Sequence, residues 1–90
     1  MGEISLEQAC LRLAEKRGMI LLKIEKRKGW PDRLLLTYGR AVWIEFKSEK
    51  GRLAPLQAVI VKRLRNRGFI TEIVRTKEHF MRILNELEAV

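Results

Sequence analysis

Gly29-Trp30-Pro31-Asp32 opens the stretch on which the fold of this chain turns. It runs on through Arg33-Leu34-Leu35-Leu36-Thr37, the turn Tyr38-Gly39-Arg40, and Ala41-Val42-Trp43-Ile44-Glu45-Phe46-Lys47. Two apolar runs joined by a short glycine-bearing turn are the pattern of a β-hairpin. Pro31 has no amide hydrogen to give to a ladder, so the first of these strands begins after it. Alternate side chains of a strand share a face. Val42, Ile44 and Phe46 therefore point into a core, while Trp43, Glu45 and Lys47 share the opposite face. A two-residue loop at Gly39-Arg40 sets Tyr38 opposite Ala41 and Asp32 opposite Lys47. Asp32 then lies diagonal to Glu45 on one face. A loop of odd length, without a bulge, would turn Asp32 to the other side.

Working outward, Ser5 with Gln8 three residues on reads as a capping box at a helix start. Leu6, Ala9, Cys10, Leu13 and Ala14 recur at helical spacing as far as Lys16 or Arg17, and Gly18 is the C-cap. Residues 19–25 read as a strand and Glu25-Lys26-Arg27-Lys28-Gly29 as a charged connection. After a polar loop at 48–52, Pro55 suits the first turn of a second helix with Leu56, Val59, Ile60 and Leu64 inward, closed by Gly68. Residues 69–74 form the last strand. Thr76 caps a final helix whose inward residues are Phe80, Ile83, Leu84 and Leu87. The order αβββαβα predicts one α+β domain over residues 1–90, built on a small mixed sheet. The strand reached through the second helix runs parallel to its predecessor.

Composition narrows the partners. Nineteen Lys and Arg against eleven Asp and Glu leave a net charge of +8, which favours a polyanion, most simply nucleic acid. A hydrophobic fraction of 47% suffices for one core and excludes a disordered chain. One cysteine excludes an intrachain disulfide, and one cysteine with one histidine excludes the usual structural zinc site. Cys10, on the apolar helix face, reads as a core residue. No apolar run approaches the ~20 residues of a membrane span and no signal peptide is visible, so the expected setting is cytoplasmic, away from membranes.

On such a basic chain, two carboxylates and a lysine on one strand face suit phosphodiester hydrolysis. Asp32 and Glu45 would hold Mg²⁺ or Mn²⁺, hard cations that take carboxylate oxygens. Lys47 would meet a phosphate or a water. Glu7 would reach the metal through a water if the first helix packs beside that face, and Gln57 would hold a site water or Lys47. Taken alone, Glu-x-Lys on a strand also describes a solvent-facing ion pair, and Asp after Pro also describes a turn.

The combination carries more. Gly29-x-Pro31-Asp32-Arg33, Glu45-x-Lys47 and Gly51-Arg52-Leu53-x-Pro55-x-Gln57 together resemble the stand-alone VRR-NUC domains of the PD-(D/E)xK nuclease superfamily, from about Ser5 to the end of the chain. The resemblance implies a restriction-endonuclease-like fold and a metal-dependent DNA endonuclease. It implies Asp32 and Glu45 as metal ligands, Phe46 adding its backbone carbonyl, and Lys47 as the catalytic lysine. Gln57 and Glu7 match the helix glutamine and the N-terminal helix glutamate of that pattern. Compact stand-alone members are similar to Holliday-junction resolvases, which implies a homodimer acting on branched DNA. The alternative is a basic nucleic-acid-binding module without chemistry. A metal requirement separates the two.

Lys23, Lys26, Arg27, Lys28, Lys50 and Arg52 flank the motif and are placed to contact phosphates. Lys62, Arg63, Arg65 and Arg67 equally suit the wet side of a helix. Trp30 reads as a cover over a core edge or a stacking platform, Trp43 as a core or interface residue, and His79 as an exposed helix residue.

Overall fold

The computed structural model describes residues 2–89. Seven elements follow in the expected order: α1 (Glu3–Lys16), β1 (Ile20–Lys23), β2 (Arg33–Thr37), β3 (Arg40–Phe46), α2 (Pro55–Asn66), β4 (Thr71–Val74) and α3 (Lys77–Glu88). The sheet order is β1-β2-β3-β4. β1 and β2 pair antiparallel, as do β2 and β3, whereas β3 and β4 are parallel across the α2 crossover.

α1 and α3 cover one sheet face. Leu6, Cys10 and Ala14 of α1 and Phe80, Ile83, Leu84 and Leu87 of α3 pack with Leu21, Leu35, Val42, Ile44, Phe46 and Val74 in a single core. Phe46 and Phe80 meet at a centroid separation of 6.2 Å. α2 lies over the other face and buries Ile60, Val61 and Leu64. No helix among the described residues is long and apolar enough to cross a membrane.

Helix ends follow local chemistry with one exception. The Thr76 hydroxyl accepts from the His79 amide at the start of α3. Gly18 and Gly68 stand at φ +72 and +85 just past α1 and α2, the left-handed backbone that ends a helix at little steric cost. The exception is Ser5. α1 starts three residues earlier, at Glu3 behind the N-cap Gly2, with no side-chain cap, so Ser5 sits exposed inside the first turn. On α2, Leu56 and Val59 also depart from expectation and remain exposed, because that face of the helix rolls away from the sheet.

The hairpin register differs from expectation by two positions. Thr37 pairs with Arg40 and Leu36 with Ala41, so the loop is Tyr38-Gly39. Both loop residues have positive φ, 40 and 78, as a type I′ turn requires. Placing glycine second in that loop is cheaper than placing Arg40 there. The shift is even, so face alternation survives. One step beyond the Arg33–Ile44 pair, Asp32 comes opposite Glu45 rather than Lys47.

Candidate active site

Asp32 and Glu45 stand at adjacent ends of β2 and β3, on the face that α2 covers. The Phe46 amide donates to Asp32 Oδ2 at 2.9 Å. That contact fixes the aspartate across the strand gap at the point where Pro31 keeps the ladder from continuing. Glu45 is 2% exposed. The Gln57 side-chain Nε2 donates to its Oε2 at 3.0 Å, and Lys47 Nζ lies 3.6 Å from the same oxygen. Gln57 is held in turn, since its Oε1 accepts from the Ala54 amide at 2.8 Å. The N-terminal turn of α2 thus orients the amide that orients the carboxylate.

The other oxygen, Glu45 Oε1, is buried with no hydrogen-bond partner. An unpartnered buried carboxylate oxygen is costly. Burial, reinforced by the neighbouring Asp32 carboxylate, pushes the Glu45 carboxyl up to about 7, with Lys47 pulling in the opposite direction. Burial also raises Asp32, against the opposing hydrogen bond from the Phe46 amide, with Glu7 adding to the rise. Two carboxyls pushed up together, one with a free buried oxygen, form a hard-oxygen donor set that fits a divalent cation. No cluster of three or more acidic, histidine or cysteine side chains occurs among the described residues, so the acidic part of this set is the pair alone.

Glu7 is near but otherwise engaged. Its Oε2 accepts from Arg33 Nε at 2.6 Å and lies 3.7 Å from Lys23 Nζ. Arg33 is buried on the α1 face and also donates from Nη1 to the Leu21 carbonyl at 3.0 Å. Sequence reasoning assigned Arg33 no role. Its signal was alternation, because Arg33 shares a face with Leu35 and Thr37, and a buried arginine there must find a carboxylate. Arg75 was missed likewise. It donates from Nη1 to the Ser48 carbonyl at 2.8 Å and to the Gly51 carbonyl, clamping the loop that leaves Lys47.

Lys26, Lys28, Lys50 and Arg52 are exposed around the site, and Lys23 is half-exposed beside Glu7. Arg27 lies over the Trp30 ring at 4.9 Å, and Trp30 meets Trp43 at 5.4 Å between centroids. The two tryptophans therefore pack on each other at the sheet surface. His79 is half-buried in α3.

Gly29 sets the approach of the Trp30-Pro31-Asp32 segment to α2. Its φ is +83, and a Cβ built there would stand 2.5 Å from Leu56 Cγ. Gly29→Ala therefore combines left-handed strain with overpacking, and its expected cost is about 2–4 kcal/mol of stability in a urea titration. A loss below about 0.5 kcal/mol would show that this close approach is not required.

No protein-family model matches the sequence, and no curated protein does. Among solved structures, one described as a VRR_NUC domain superposes with a TM-score of 0.79 at 25% sequence identity, over 92% of this chain and 94% of the other. A likeness of that depth along nearly the whole of both chains supports a VRR-NUC domain protein, of a nuclease-type family.

Proposed function

We propose that the protein is a metal-dependent DNA endonuclease that hydrolyses phosphodiester bonds, acting as a homodimer on branched DNA such as four-way junctions. The observation that carries the chemistry is the unpartnered, buried Glu45 Oε1 beside Asp32 and Lys47.

Asp32, Glu45 and the backbone carbonyl of Phe46 would hold Mg²⁺ or Mn²⁺. When bound, the cation supplies charge neutralisation at the scissile phosphate and acidifies water. Lys47, held 3.6 Å from Glu45 Oε2, would donate from Nζ to a phosphate oxygen or align the attacking water. Gln57 keeps Glu45 in place, and the Phe46 amide does the same for Asp32. Glu7 lies on α1, which packs on the other sheet face rather than beside the carboxylates, so its part is to hold Arg33 and not to reach the cation. The exposed Lys23, Lys26, Arg27, Lys28, Lys50 and Arg52 draw the DNA backbone to this edge by counterion release.

The test is cleavage of a labelled four-way junction and of linear duplex of the same sequence, with Mg²⁺, with Mn²⁺ and with EDTA. Expected is cutting with either metal, none with EDTA, and a preference for the junction. Salt-sensitive binding without cleavage under any of the three conditions would replace the enzyme reading with that of a binding module. Equal cutting of the two substrates would remove the junction preference alone.

A further inference from the structure

We infer that the groove between Trp30 and the outer side of α2 binds a single unpaired nucleobase of the DNA strand that runs past Asp32 and Glu45.

The groove encloses about 320 Å³, at the small end of ligand sites. Trp30, Leu56, Val59 and Ile60 give it apolar walls, and the exposed Arg63 and Arg67 complete its lining. Gly29 brings the Trp30 segment close to α2, since a Cβ there would stand 2.5 Å from Leu56 Cγ and 3.0 Å from Ile60 Cδ1. Leu56 is 44% and Val59 50% exposed, so the walls are open to a ligand.

Shape, charge and position together select a base over other occupants of an apolar groove. The exposed Arg27 guanidinium, a flat cation, already lies over the Trp30 ring at 4.9 Å from its centroid. An indole face that accepts a planar guanidinium accepts a base by the same stacking. Arg17 and Arg33 are ion-paired, whereas no ion pair among the described residues engages Arg27, Arg63 or Arg67. α2 carries no acidic residue. A wholly apolar partner would cover these guanidiniums without a counter-charge, at a cost, and a second copy of the chain would add its own cations. A nucleotide brings a flat apolar face and a phosphate on one residue.

Position narrows the ligand further. Trp30 lies two residues before Asp32, so their Cα atoms are at most about 7 Å apart. Leu56 precedes Gln57, whose amide holds Glu45. A strand with its phosphate at the carboxylates therefore has a neighbouring base at the groove. In an intact duplex that base is stacked and paired, so only an unpaired nucleotide enters. The adjacency to the cut rests on the nuclease reading, whereas the binding of a base in the groove does not.

The experiment uses the full chain in EDTA at about 0.1 M salt, which limits the part played by phosphate contacts. The probe is a duplex with one unpaired aminopurine nucleotide, whose fluorescence is quenched by stacking, and the control is the fully paired duplex. Wild type is expected to quench the aminopurine and to bind the probe about 5- to 100-fold more tightly than the control. Trp30→Leu is expected to abolish both the quench and that difference. Should Trp30→Leu unfold by circular dichroism, Val59→Glu sets a carboxylate in the groove from an exposed position and is expected to cause the same loss. Lys62→Glu, on α2 but outside the groove, is expected to weaken probe and control alike and to leave the quench intact. No quench with wild type, or a quench that survives the groove changes, would overturn the proposal. So would a Glu- and Leu-rich peptide that binds wild type and not Val59→Glu while the aminopurine stays bright, since the groove would then belong to a protein partner. A chain that quenches the probe and never cuts DNA refutes the nuclease reading and keeps this site; one that cuts without quenching does the reverse.

Discussion

Glu45→Gln and Lys47→Met each lower metal-dependent cleavage by about 10²–10⁴-fold while leaving the fold and salt-sensitive DNA binding in place. Glu45→Gln keeps the shape of the side chain and a partner for Gln57 but removes the charge that a cation needs. Lys47→Met keeps the stem of a half-buried lysine and removes its ammonium, 3.6 Å from Glu45. The two losses differ in their metal dependence. Added Mn²⁺ partly restores Glu45→Gln, where the defect is in holding the cation, and does nothing for Lys47→Met. Single-turnover cleavage across a metal titration reads this directly. Wild-type rates in both variants would remove Glu45 and Lys47 from the reaction, and with them the site.

The second large effect concerns stability in the absence of metal. The Glu45 carboxyl, ordinarily at 4.5, stands at about 7 in the folded chain. The native state therefore holds a proton that the unfolded state has released across that window. The linkage slope follows proton uptake, so stability falls as pH rises from about 4.5 to about 7 and stays low above it. At about 1.4 kcal/mol per unit, the loss is on the order of 3 kcal/mol, and Asp32, also raised, acts in the same direction. Glu45→Gln carries no ionisable group at this position. It should match wild type near pH 5 and exceed it at pH 8 by most of that amount in urea unfolding. Mg²⁺ should return the lost stability to wild type at pH 8 by binding only the native state, and should do so far less for Glu45→Gln. Wild-type stability that rises between pH 5 and pH 8 would contradict the packing of Glu45 described above.

Both effects depend on residues that were legible before the fold was seen. Asp32, Glu45, Lys47 and Gln57 stood out because their types and order match a known nuclease pattern, and strand alternation placed three of them on one face. The structure brings these four together. The elements were legible for equally local reasons. Pro31 and Pro55 cannot donate a backbone hydrogen bond, Gly18 and Gly68 accept left-handed backbone, and Phe80, Ile83, Leu84 and Leu87 repeat at helical spacing.

Other features were not fixed by the apolar pattern. The register of the hairpin was one, because pattern alone leaves a shift of two positions undecided. The strain of a type I′ turn at Tyr38-Gly39 settled it and moved Asp32 opposite Glu45. The exposure of Leu56 and Val59 was another, since periodicity marks an apolar stripe without saying how far the sheet reaches beneath it. The partners of Arg33 and Arg75 lie 26 and 27 residues away in the chain.

By itself, then, the sequence determined the order of elements, the α+β class, the apolar faces and the identity of the chemical groups, all of which follow from local backbone preference and side-chain periodicity. Only the tertiary structure decided that Glu45 is buried with one oxygen unpartnered, that Arg33 engages Glu7, and that Ile20 and Leu22 face outward. Burial and pairing arise where segments far apart in sequence meet, and no local pattern records which segments those are.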